Sequence, residues 1–419
     1  MKILLINQAF YPDVVATALH ASDLAHRLST DGHQVTVIAS RCGYDNASDR
    51  YAKTEVWNRV RIIRIGNLGL GKGARWRRMI NFATFFVACA FRLIAIGRQD
   101  LVVSMTSPPL ISTVAALFVR LKGGRLVQWV MDLNPDEAIA AGWLRERSLA
   151  ARGLEQALIY SLHTAAQVVV LDEFMRARVI RKGIACEKVE VIPPWCRDRS
   201  VHYDQQGRQK FREEHGLEGK FVVMYSGNHS PCHPLTTLLR SAARLAHRTD
   251  IVFCFVGGGA EFHKVSRFAH DHGLHNITWL PYQSKEMLSA SLSAADLHAV
   301  VMGDKFLGIL HPSKIYNVIS LGIPFLYIGP ERSHVTEMLP RGAAGVWARL
   351  VKHGDVDFAV QHVIESARIG PKRFPEEARF AQHFSEHKLV QRFARLLVAS
   401  NNRRDNDLTT LEAEPGRCM

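Results

Sequence analysis

Residues 306–324 read Phe-Leu-Gly-Ile-Leu-His-Pro-Ser-Lys-Ile-Tyr-Asn-Val-Ile-Ser-Leu-Gly-Ile-Pro. The pattern predicts a loop, a short helix, and a Gly322-Ile323-Pro324 turn into the apolar strand Phe325-Leu326-Tyr327-Ile328-Gly329. Pro312 suits the first turn of that helix, where its missing N–H costs nothing. Ser313 and Lys314 then fall where unpaired backbone donors and a positive side chain converge, a favourable place for a phosphate.

Working outward, the first half of the chain alternates apolar runs with helical spacing. Residues 2–7, 34–39, 101–104, 125–130 and 167–171 read as strands. A helix from about Thr17 carries Leu19, Leu24, Ala25 and Leu28 on one face and closes at Gly32. The second half restarts the pattern at 221–225, 251–256, 277–280 and 297–301. Such alternation predicts α/β architecture: two doubly wound Rossmann-like domains facing across a cleft, with ligands at the C-terminal ends of strands. The expected boundaries are an N-terminal domain over 1–200, a polar linker over 201–216 and a C-terminal domain over 217–375. A C-terminal helix over 376–398 and a disordered tail over 399–419 complete the expectation.

The 419 residues give room for two such cores, and 47% hydrophobic with 22% charged residues is ordinary for a globular protein. The formal charge of +14 is not ordinary. It would suit an anionic small substrate, an anionic membrane surface or nucleic acid. Zinc-finger spacing, a basic zipper and an RNA-recognition signature are all missing, so no nucleic-acid partner is expected. Seven scattered cysteines without C-x-x-C spacing read as reduced cytosolic thiols. Met1 to Asn7 reads as a buried first strand rather than a signal peptide. Residues 79–96, preceded by Lys72, Arg75, Arg77 and Arg78, admit two readings. One is a buried helix of the first domain; the other is a helix resting on anionic lipid.

Several loops carry candidate chemistry. Ser226-Gly227-Asn228-His229-Ser230-Pro231-Cys232-His233-Pro234 lies between a strand and a helix, where Gly227 lets backbone amides approach an anion. Gly257, Gly258 and Gly259 follow the next strand and suit close approach to a ligand. After the first strand, Asp13, Ala16 and Thr17 are candidate ligand contacts. Asp132, in Met131-Asp132-Leu133-Asn134-Pro135-Asp136, reads either as a carboxylate that orients a hydroxyl or as a helix cap. No serine–histidine–acid order, Walker loop or metal-ligand cluster stands out, so neither a metal nor a cofactor is expected.

The segments 306–324, 226–234, 131–136, 171–175 and 191–195 together resemble GT-B glycosyltransferases, especially glycosyltransferase family 4. The resemblance spans most of residues 1–398. It implies transfer of a sugar from a nucleoside diphosphate sugar to a hydroxyl, with retention of configuration and without a metal. The family usually places an Arg and a Lys against the donor diphosphate; here those places fall on Asn228 and His233. It often carries two Glu eight residues apart; here they are Ile309 and Asn317. A subset resembles this chain in its Pro-Ser-Lys run, which implies Ser313 and Lys314 as diphosphate partners and Asn317 as a hydroxyl partner. Gly227, Asn228, His229, His233 and Gly257 to Gly259 complete the implied donor set, and Lys314 with Asp132 the catalytic one. The Asp-Leu-Asn-Pro run at 132–135 resembles an Asp-Leu-Trp-Pro run of bacterial surface-polysaccharide enzymes. A lipid-linked glycan at the inner membrane face suits the positive charge; a soluble acceptor stays open. The substituted Glu, Arg and Lys places leave a catalytically inactive partner subunit as an alternative, and a nucleotide-sugar epimerase of the same fold as another.

Overall fold

The structure, a computed structural model, describes residues 1–44, 48–66, 68–69, 75–196, 201–339 and 347–406. The chain divides into two compact units. Unit 1 comprises Met1–Pro194, Gly308–His311 and the chain from Glu386; unit 2 comprises Trp195–Leu307 and Pro312–Ser385.

Unit 1 holds an eight-stranded sheet built from β1 (Lys2–Ile6), β2 (Gln34–Ser40), β3 (Thr54–Trp57), β4 (Val60–Ile65), β5 (Leu101–Ser104), β6 (Arg125–Trp129), β7 (Gln167–Val170) and β8 (Val189–Val191). Their order is β3-β4-β2-β1-β5-β6-β7-β8. All neighbours are parallel except β3 and β4. In β1, Ile3, Leu4, Leu5 and Ile6 are fully buried, as a central parallel strand covered on both faces requires. The edge pair β3–β4 escaped the sequence reading because Arg61 and Arg64 interrupt its apolar pattern. Arg64 is nonetheless buried, donating to the Tyr11 carbonyl at 2.6 Å and pairing with Glu55. The hairpin turns through Asn58 and Arg59, both at positive φ, as a two-residue turn demands.

Helix α1 (Ala16–Thr30) follows β1, and α2 (Arg75–Ile94) precedes β5. Helix α3 (Ile111–Lys122) follows β5. On α2, Phe85, Cys89 and Leu93 recur at four-residue spacing and are buried, so one face of the 79–96 segment does join the core. Among the described residues no helix is long and apolar enough to cross a membrane.

The long helix Glu386–Asn406 also belongs to unit 1. Phe393 meets Trp129 edge-on at 4.6 Å, and Arg125 donates to the Leu397 carbonyl at 3.1 Å. The helix therefore starts later and runs further than the expected 376–398, into the stretch read as tail; residues 407–419 lie outside the described residues.

Unit 2 holds β9 (Phe221–Asn228), β10 (Ile251–Gly258), β11 (Ile277–Leu280), β12 (Leu297–Val301), β13 (Phe325–Ile328) and β14 (Ala348–Val351). The order is β11-β10-β9-β12-β13-β14, parallel throughout. The chain winds outward from β9 to β11, then returns to lay β12 on the other side of β9. The switch in winding between β9 and β12 is where such sheets open a crevice beyond their carboxyl ends.

The segment read as a linker, 201–216, contains the helix Gln205–Glu214. Its polar sequence misleads because two of its charges point inward. Arg208 and Arg212 both pair with the fully buried Asp296 carboxylate, which also accepts from the Val222 amide at 2.8 Å. Phe211 is completely buried beside them.

Candidate functional site

At the β9/β12 switch, the loop after β9 and the helix Lys314–Leu321 come together within unit 2. Pro312 and Ser313 bring the chain into that helix, and Gly322 ends it at φ 65°. Its first turn holds no acidic residue and its N-cap makes no side-chain hydrogen bond, while the Ile315 and Tyr316 amides turn back on the Pro312 and Ser313 carbonyls at 3.3 and 3.2 Å.

Lys314 reaches back over the loop. Its Nζ donates to the Tyr225 hydroxyl at 2.6 Å, which donates in turn to the Asn228 carbonyl at 2.7 Å. A Cβ on Gly227, which has φ 140°, would lie 3.1 Å from Lys314 Nζ. Glycine is required there for the backbone, and a side chain would press on the end of Lys314. Among the described residues no carboxylate pairs with Lys314, and burial lowers its pKa from 10.5 to about 7. A partly buried ammonium whose hydrogen bond goes to a phenol lacks an anion.

Two imidazoles flank it. His229 Nδ1–H donates to the Gly227 carbonyl at 3.0 Å, and His233 Nδ1–H donates to the Val301 carbonyl at 2.8 Å. Burial, then the Lys314 charge, pushes His229 down to about 4 and His233 well below its ordinary value. Both are therefore neutral near pH 7, and the positive charge of the cluster rests on Lys314. Asn317 lies one turn further along the same helix, partly exposed.

The glycines after β10 have a different reason. A Cβ on Gly257 would collide with the Gly227 carbonyl, and one on Gly259 with the Asn228 amide and the His229 carbonyl. The two loops lock together through His229 N–H to Gly258 O at 2.7 Å and Glu261 N–H to His229 O at 3.0 Å. The Tyr282 ring covers Gly258. These glycines thus hold up the loop that holds Lys314. Gly257→Ala, at φ 136° and with backbone in the way, is expected to cost about 2–4 kcal/mol. A thermal melt lowered by several degrees is the outcome to look for.

In unit 1, Asp132 follows β6 and forms an isolated antiparallel bridge to Leu310, while the Leu133 amide donates to Ile309 O at 2.8 Å. It is not a helix cap: the helix Asp136–Ala140 is preceded by Pro135, with no side-chain cap. Burial first, then the neighbouring Glu137 carboxylate, pushes Asp132 up to about 7, against the opposing charge of Arg78. A carboxyl that titrates near neutrality suits proton or hydroxyl handling. Asp13 is differently employed. Its Oδ1 accepts from the Tyr44 amide and the Tyr51 hydroxyl, each at 2.9 Å, organising the loop before α1. Ala16 is exposed at the start of α1, and Thr17 beside it is partly buried.

Two participants escaped the sequence reading. Tyr225 looked like an ordinary strand residue, and its role shows only once the Lys314 side chain is placed. His311 sat unremarked between Leu310 and Pro312, yet its Nδ1 lies 2.8 Å from Asp172 Oδ2. Asp172 also caps the helix Glu173–Arg181 by accepting from the Met175 amide at 2.8 Å. Residues 308–311, including Ile309 at the first expected Glu place, thus belong to unit 1, while Lys314 and Asn317 belong to unit 2.

Two Rossmann-like units of this kind define a protein of the GT-B class. Residues 16–195 match the glycosyl transferase 4-like domain family, and residues 207–310 match glycosyl transferases group 1. The chain belongs to the GT-B glycosyltransferases of the family 4 type. It is 24% identical over 336 residues to the putative colanic acid biosynthesis glycosyl transferase WcaI of Escherichia coli (strain K12), covering 77% of this chain and 82% of that one. Among solved structures, sucrose-phosphate synthase from Thermosynechococcus elongatus superposes with a TM-score of 0.76 at 14% identity, over 96% of this chain and 99% of that one. HepE of Anabaena, in complex with UDP-glucose, superposes at 0.68 and 16% identity, over 95% and 100%.

Proposed function

We propose that this glycosyltransferase moves a sugar from a nucleoside diphosphate sugar to a hydroxyl of a lipid-linked glycan during surface-polysaccharide assembly, at the inner face of the cell membrane. The observation that carries the donor reading is Lys314, a partly buried ammonium without a carboxylate, set over Gly227 at a helix N-terminus. In the transfer, the bond from the anomeric carbon to the diphosphate oxygen breaks, and the acceptor oxygen bonds to that carbon. The departing oxygen gathers negative charge, which Lys314 and the amides of Gly227 and of the Lys314 helix stabilise. The acceptor's proton leaves with the diphosphate, and Asp132 orients the hydroxyl that gives it up. Retention of configuration fits an acceptor attacking from the face the diphosphate leaves. Asn317 and Ser313 offer hydrogen bonds to donor hydroxyls and phosphate, and neutral His229 and His233 shape the loop. Sugar-polymer assembly is the role carried by the name of the colanic acid relative, and UDP-glucose is the ligand named with HepE.

The test is calorimetry of the full chain with UDP, GDP and their sugars. One nucleotide class is expected to bind in the micromolar to millimolar range, about −8 to −4 kcal/mol, equally with or without EDTA. Product NMR should then show the donor's anomeric configuration. If no nucleotide or nucleotide sugar binds, the donor reading falls and an inactive partner subunit takes its place.

A further inference from the structure

The outer face of α2 is apolar where a water-facing helix face should be polar. Trp76, Met79, Val87, Phe91 and Ile94 each leave more than half of their surface open, and with the exposed Ala83 between Met79 and Val87 they recur at three- and four-residue steps along one side. Helix α3 packs beside α2, and its Lys122 donates to the carbonyls of Ile94 and Ile96 at 2.5 and 2.7 Å. On α3 itself, Leu121 beside that lysine is 84% exposed. The Phe85–Cys89–Leu93 face is in the core, so the stripe is a second apolar face, on the far side.

The charge around it is one-sided. Between Glu55 and Asp132 the sequence holds twelve Lys and Arg against a single carboxylate, Asp100. Asp100 is itself engaged by the Lys2 amide at 2.7 Å. Most of the chain's net charge of +14 therefore lies in this one stretch. At the N-terminal end of α2, Arg77 and Arg78 lie over the Trp76 and Phe82 rings, each 5.3 Å from the centroid.

We infer that α2 and the end of α3 form a docking surface for an anionic lipid bilayer, with the stripe seated among the acyl chains and the arginines among the headgroups. The pairing is the one an interfacial helix needs: apolar area to bury together with basic residues drawn to an anionic surface. A second copy of this chain would bring the same positive charges face to face, and a nucleic acid has no use for the stripe. The inference deepens the proposed function, on which it rests for the lipid-linked acceptor: Arg78, at the docking end of α2, also exerts its charge on Asp132.

The experiment is co-sedimentation of the full chain with phosphatidylcholine vesicles, with and without about a third phosphatidylglycerol. Wild type should pellet with the anionic vesicles and be released by salt. The double variant Phe91→Glu, Ile94→Glu should lose about tenfold or more of the bound fraction, or ~1.4 kcal/mol, with its circular dichroism and nucleotide affinity unchanged. Wild type that stays in the supernatant overturns the inference. So does a wild-type dimer in sedimentation velocity that the double variant disperses, since the stripe then belongs to a second copy. Nucleotide calorimetry on the same preparations keeps the two claims apart: vesicle binding without nucleotide binding would sink the donor reading and leave the docking surface standing.

Discussion

Lys314→Met is expected to remove most of the nucleotide-sugar affinity and, at the same time, to raise the melting temperature of the unliganded protein. Both effects come from one property. Burial holds the Lys314 pKa near 7 rather than 10.5, so its charge opposes folding at neutral pH. Methionine fills similar volume without that charge. Its loss of the hydrogen bond to the Tyr225 hydroxyl costs about 1 kcal/mol. Relief of the charge returns more, on the order of 2 kcal/mol after discounting for solvent at the partly exposed site. Unfolded, the lysine keeps its proton to about pH 10.5; folded, it loses it near 7. Across that window the unfolded state binds more protons, so wild-type stability should rise with pH, and the rise should be weaker in the methionine variant. On the ligand side, a bound diphosphate supplies the missing anion, raises the lysine pKa and takes up a proton when binding occurs near pH 8. Calorimetry in buffers of different ionisation heat reads that uptake. Affinity should fall in the variant by about 10- to 100-fold, or about 1.4–2.7 kcal/mol. A structural lysine would behave the opposite way, with a lower melting temperature and unchanged binding.

The contrast between Lys314 and its neighbours shows what the sequence could convey. Pro312, Gly322 and Pro324 punctuate the chain through backbone constraints that act locally, so the helix Lys314–Leu321 and β13 were legible. The central strands were legible too, because parallel strands covered on both faces are continuous apolar runs. The β3–β4 pair and the helix Gln205–Glu214 were not. Their arginines are buried by partners distant in sequence, Glu55 and Asp296, and a charge pattern alone reads as solvent-facing. The glycine triplet was visible but its reason was not. Gly257 and Gly259 answer to the backbone of the 227–229 loop, a contact that only the β9–β10 register creates. Asp13 suited a ligand by its position after β1, yet Tyr44 and Tyr51 engage it.

Asp132→Asn is expected to lower kcat by about 100-fold or more, in the range of a lost proton-handling or orienting group. Donor affinity should stay within about twofold, because the donor partners named above lie in unit 2 and Asp132 in unit 1. The pH dependence runs opposite to that of Lys314. Asp132 keeps its proton in the folded state up to about pH 7, whereas its ordinary value is 3.8. Between those values the folded state binds more protons than the unfolded one, so this group's contribution to stability falls as pH rises, and its full cost remains above 7. Asparagine removes the cost and should raise the melting temperature at pH 8 while leaving it nearly unchanged at pH 4. In turnover, wild type should show an ascending limb near pH 7 as Asp132 ionises and accepts the acceptor hydroxyl; the asparagine variant should lose that limb. A carboxylate kept only for packing would give the melting shift without the kinetic one. The pairing of the two is the sign of a group held in an unfavourable state because the reaction uses it.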